Sequence, residues 1–130
     1  MRRERGFTLI EVLAALLVLT FVITMTMWAF LERNRRLQQA NELMLAYQAL
    51  ANESEHWRRV EFDLLAPAPT FSTPPDVLEP LQPHETTVDV RLTKPGVKNV
   101  TLTVRWKNNE REARLGIVRV KTGAKGDRFW

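Results

Sequence analysis

From Val12 to Leu31 the chain carries no charged residue, and this run of twenty sets the first limit on its fold. At the helical rise of about 1.5 Å per residue it makes a rod of roughly 30 Å, close to the hydrocarbon thickness of a bilayer. A run of that length does not fit inside the core of a 130-residue chain. The folded part must come from the remaining residues, which leaves a small domain with a limited core. Extending the run back to Phe7 adds a single charge, Glu11.

The helix does not stop where the apolar run does. No proline or glycine occurs between Phe7 and Ala66, and residues 32–65 are rich in Leu, Ala, Glu, Gln and Arg. These are strong helix formers, so one helix is expected from about Phe7 to about Arg59, roughly 80 Å long. Leu37, Ala40, Met44, Tyr47, Leu50, Ala51 and Trp57 recur at spacings close to three and four, which predicts an apolar stripe. Arg35, Gln38, Asn41, Glu42, Gln48, Asn52 and Glu55 are expected on the opposite face. Six of the seven prolines then fall between Pro67 and Pro83. Proline removes a backbone donor and restrains the residue before it, so this stretch is expected to be a linking loop.

Beyond it the period changes to two. Val88, Val90 and Leu92 alternate with polar residues, as do Val100, Leu102, Val104 and Trp106. Ala113, Leu115, Ile117 and Arg119 continue the pattern, with Val118 and Val120 opposite. Lys94-Pro95-Gly96 and Asn108-Asn109 supply turns between them, which predicts a three-stranded antiparallel meander. Its apolar face needs a cover, and the helical stripe is the expected one. The fold class is therefore α+β: a long N-terminal helix, first apolar all round and then amphipathic, on a small antiparallel sheet.

The net charge of +4 is concentrated in the first five residues and the last ten. Basic ends are common flanks and tails, so a nucleic-acid partner is not expected from them. There is no cysteine, which rules out disulfides, thiolate chemistry and cysteine-bound metal. His56 and His84 are the only histidines and fall on the helix and in the loop. Neither shares a spacing with Ser, Asp or Glu that suggests catalysis or a metal site. No enzyme, cofactor, metal or small-molecule substrate is expected.

Arg2, Arg3 and Arg5 precede the apolar run, as in a secretory signal. The run is too long for one, and its far end, Thr26-Met27-Trp28-Ala29-Phe30, is too bulky for signal cleavage. Glu11 is costly in such a setting: a carboxylate at a membrane-helix centre costs about 2.5–3.5 kcal/mol, less near an interface. Some group should compensate it. An ammonium created at Phe7 would stand four residues away, on the same helical face.

The stretch Gly6-Phe7-Thr8-Leu9-Ile10-Glu11-Val12-Leu13, behind its basic leader, resembles the cleavage signal of type IV pilins and type II secretion pseudopilins. The resemblance implies that prepilin peptidase cuts between Gly6 and Phe7 and methylates the new amine of Phe7. It assigns Glu11 to assembly, through the Phe7 amine of a neighbouring subunit. It also implies as partners other pilin or pseudopilin subunits through the N-terminal helix, an inner-membrane assembly platform and membrane lipid. The N-terminus is then cytoplasmic and the C-terminal domain periplasmic. On this basis residues 1–6 are the leader, 7–31 the transmembrane and assembly helix, and 32–66 its amphipathic continuation. Residues 67–85 are the Pro-rich loop, 86–122 the meander and 123–130 a basic tail, with Phe129 and Trp130 able to dock.

Three departures from major subunits favour a small minor subunit, similar to I-type pseudopilins or V-type minor pilins. No disulfide can close a C-terminal loop, no clustered acidic ligands suit calcium, and no proline kinks the helix. Two alternatives share most of these features. One is a signal-anchored membrane protein with a small periplasmic binding module; the other is a DNA-uptake pseudopilin using the basic tail.

Overall fold

The computed structural model describes Gly6, residues 8–72 and residues 76–122. The leader arginines, Phe7 and the expected docking of Phe129 and Trp130 lie outside the described residues. One helix, α1, runs Leu9–Arg59. It is followed by 3-10 turns at Phe62–Leu64 and Asp76–Leu81 and by strands β1 (His84–Lys94), β2 (Val97–Trp106) and β3 (Arg111–Val120). By internal contacts the chain divides into two compact units, Met1–Ala40 and Asn41–Trp130.

In the first unit α1 is a bare helix, with every residue from Leu9 to Leu31 exposed. It is long and apolar enough to cross a membrane, with a mean hydropathy of 2.4 over its most apolar window. Its hydroxyls are satisfied within the helix: Thr20 donates to the Leu16 carbonyl at 2.7 Å and Thr26 to that of Val22 at 2.8 Å. Back-bonding of this kind hides a polar group from an apolar solvent.

The second unit contains the core. The sheet order is β1-β2-β3 and both pairings are antiparallel. Its register aligns Val88, Leu102 and Leu115 in one row, and Val90, Val100 and Ile117 in the next. This α+β layout, a long N-terminal helix on a small antiparallel sheet, is the pilin-like one expected from the sequence. Gly96 adopts φ +80 in the first turn, a conformation that residues with a side chain rarely hold. In the second turn Lys107, Asn108 and Asn109 all have positive φ, which asparagine tolerates best.

The helix meets this sheet through a different face from the expected stripe. Ala46, Ala49, Leu50, Glu53, Ser54 and Trp57 are buried, whereas Leu37, Ala40, Met44, Tyr47 and Ala51 are exposed. Leu50 and Trp57 were rightly placed inward; the rest of the stripe was not. Polar Glu53 and Ser54 disguise the true face. Glu53 is tolerated there because its Oε1 accepts from the Trp57 indole at 2.7 Å and from the Ser72 amide at 2.8 Å. Glu42, expected on the solvent face, is half-buried against the β2–β3 turn.

The Pro-rich stretch is more than a linker. Phe71, Leu78 and Leu81 join the core cluster, and Ala68 bridges to Val88 through two backbone hydrogen bonds. A sheet this small leaves apolar area that one helix cannot cover. His84 opens β1 instead of sitting in the loop. Arg119 closes the C-terminal end of α1. Its guanidinium donates to the carbonyls of Trp57 and Val60, each at 2.9 Å, and to that of Arg58. Helix ends leave such carbonyls without intrahelical partners, and a cation suits the negative end of the helix dipole.

Candidate functional site

The sequence singled out Gly6, Phe7 and Glu11. Gly6 is exposed, and a Cβ built on it would meet no atom within 4 Å. Nothing among the described residues therefore demands glycine there. Phe7 lies outside the described residues. Thr8 and Glu11 form the first structured feature: the Thr8 amide donates to Glu11 Oε2 at 3.0 Å, and the Glu11 amide reaches Thr8 Oγ1 at 3.4 Å. This is a capping box, in which N-cap and third-position side chains satisfy each other's backbone donors. A good N-cap is worth about 1 kcal/mol.

Thr8 was not among the singled-out residues, although a threonine three positions before a glutamate at the head of an apolar run is the sequence sign of this cap. The cap changes the account of Glu11. Its carboxylate has a partner before any cleavage, and it sits in the first turn, where the helix dipole favours negative charge. Oε2 holds Thr8, and an ionised carboxylate has further acceptor sites to offer an incoming ammonium. The site can therefore keep its cap while binding a cation.

Residues 1–27 match the family model for the prokaryotic N-terminal methylation motif. The match takes in the leader, Gly6, Phe7, the capping box and most of the apolar run, and ends well before the folded unit. No curated protein and no solved structure matches the chain. The matched range includes Gly6, Phe7 and Glu11.

His56 is exposed on α1, with its ring edge-on to Trp57 at 6.0 Å. His84 lies in a cleft with Pro83, Glu85, Asn108 and Asn109, and its Nδ1 is buried without a hydrogen-bond partner among the described residues. Among the described residues no group of three His, Asp or Glu side chains is placed to hold a metal.

Proposed function

We propose that this chain is a minor pilin-like subunit, a pseudopilin, of a type II secretion or type IV pilus machine. Prepilin peptidase cuts it between Gly6 and Phe7 and methylates the Phe7 amine. The observation that carries this reading is the methylation motif over residues 1–27, continuous with an exposed apolar helix. Before assembly the helix spans the inner membrane, with the leader cytoplasmic and residues 41–130 periplasmic. In the fibre, Glu11 accepts the ammonium of a neighbour's Phe7 while holding its own cap. A charge pair in low dielectric fixes axial register more than it adds stability.

The face of α1 carrying Leu43, Met44 and Tyr47 supports contact with neighbouring subunits, because these large apolar residues are exposed. The subunit acts at the fibre tip with other minor subunits to prime assembly. Crosslinking through Met44 and Tyr47 positions should capture other minor subunits; an even spread along the shaft contradicts a tip role. Co-expression with a prepilin peptidase followed by mass spectrometry tests the central claim. Methylated Phe7 as the first residue is expected. An intact Met1 or Arg2 overturns it and leaves a signal-anchored membrane protein.

A further inference from the structure

The two edges of the sheet differ. On β1, Val88 exchanges two backbone hydrogen bonds with Ala68, and Thr86 Oγ1 accepts the Phe71 amide at 3.2 Å. Among the described residues β3 pairs only with β2. Its register runs unbroken from Arg111 to Val120, whereas that of β1 shifts between Leu92 and Lys94. The Lys121 amide donates to the Gly96 carbonyl at 2.7 Å, in the same register as the pair Val97 and Val120. Hydrogen-bonded pairs alternate along an antiparallel ladder, so the odd-numbered residues of β3 bond to β2. The backbone groups of Glu112, Arg114, Gly116, Val118 and Val120 therefore point to the open edge. Such a row is a template for another strand.

Gly116 stands in the middle of that row. Its φ is not positive, the ladder has no bulge beside it, and a Cβ built on it would meet no atom within 4 Å. Neither turn, bulge nor crowding among the described residues explains a glycine inside this strand; close approach from outside does. A second copy does not suit the edge. Pairing β3 with β3 about a two-fold axis turns α1 of one copy end for end, against the single sense in which such helices enter one membrane. Copies in the same sense would offer β1, which Ala68 already occupies at Val88. Charge narrows the partner further. β3 carries Arg111, Arg114 and Arg119 against Glu112, and Arg105 and Arg114 engage that carboxylate at 3.3 and 2.9 Å. The edge is thus positive and suits a segment that brings a carboxylate.

We propose that the open edge of β3 receives an extended segment of a different pilin-like subunit by strand addition, with a bulky side chain over Gly116 and a carboxylate beside Arg114. The inference rests on the pilin-like reading of the chain. The test places a photoreactive benzophenone side chain at Val120 of the full chain, in the bacterium that encodes it, and sequences the adduct by mass spectrometry. The adduct is expected on an extended segment of a second protein that carries its own methylation motif. Val118→Pro deletes an amide that points to the open edge and no bond to β2, and Gly116→Val fills the space above the strand. Each should lower the adduct about tenfold while the folded unit keeps its melting temperature. No adduct, an adduct on a second copy or on residues 123–130 of the same chain, or a yield that Gly116→Val leaves unchanged overturns the proposal. A Val118→Pro chain that no longer folds shows that amide to be bonded within the chain and overturns it too. The N-terminal mass of the same sample reads processing separately: methylated Phe7 with no adduct removes the edge and leaves the pilin-like reading standing.

Discussion

Thr8 and Glu11 form the helix cap, and the proposed function gives Glu11 a second role in assembly that substitution can separate. Glu11→Ala removes both the cap and the charge. Glu11→Gln keeps a carbonyl able to accept the Thr8 amide and removes only the charge. If the proposed processing holds, both variants should be cut at Gly6 to the same extent as the native chain, since the scissile bond lies outside the helix. If the charge serves assembly, both should lower the assembled fraction about tenfold or more, because a contact of about 1.4 kcal/mol already carries that factor. Mass spectrometry of the N-terminus and quantification of sheared fibres measure the two steps; full assembly of Glu11→Gln would assign the residue to capping alone. Glu42 offers a second residue-scale test. The hydrogen bond from Lys107 lowers its pKa most; burial opposes this, and the Trp106 indole and the charges of Lys107 and Arg111 add to the lowering. A carboxylate whose folded pKa is depressed stabilises the fold above its ordinary value of about 4.3. That contribution is lost as pH falls through the lower, folded value. Glu42→Gln should therefore cost about 1–2 kcal/mol at pH 7 and progressively less below pH ~4, read as converging melting temperatures. Gly6 and Glu11 could be found in the sequence because a small residue and a lone charge stand out beside an apolar run. Thr8 is chemically unremarkable until the i to i+3 relation is drawn. Glu42 could not be found, because its partners are more than sixty residues away.

At the scale of elements, the strands were legible and the phase of the helix was not. Alternation in β2 puts Val100, Leu102, Val104 and Trp106 on one buried face, a signal with little competition. On α1 two apolar faces compete. The one with the cleaner three-and-four spacing is exposed apart from Leu50 and Trp57, and the buried one includes Glu53 and Ser54. Substitution distinguishes them: Leu50→Ala should cost about 2–5 kcal/mol, whereas Met44→Ala should stay within about 0.5 kcal/mol. Chemical denaturation of residues 41–130 within the detergent-solubilised chain would show it; similar costs at both sites would restore the original stripe. Arg119 tests the junction between β3 and the end of α1. Arg119→Met retains the stem and removes the donors to three carbonyls, with an expected loss of about 1–3 kcal/mol. Arg119→Lys should recover only part, since an ammonium cannot span the fork. The Pro-rich stretch was misjudged for a physical reason. Proline reports that a segment lacks helix and ladder bonds, not that it lacks burial, and Leu78 is completely buried beside Pro80.

For the whole molecule, the division into two units means that processing and folding should respond to different substitutions. The recognisable motif ends at residue 27, and the buried hydrophobic residues begin at Ala46. Leu102 lies at the centre of the sheet with no exposed surface. Leu102→Ala should cost about 2–5 kcal/mol, which lowers the melting temperature of a domain this small by about 10 °C or more. It should leave cleavage at Gly6 unchanged at temperatures where the domain stays folded. Gly6→Val should do the reverse. A side chain there meets nothing among the described residues, so the melting temperature should not move. Cleavage should stop, because glycine at that position serves the approach of a protease to the backbone and not the fold. Thermal melts paired with N-terminal mass for both variants read the two effects independently. A Gly6→Val chain that is still cut would remove the mechanical reason for the glycine. A Leu102→Ala chain that is folded yet uncut would show that the peptidase reads the distant unit as well as the motif.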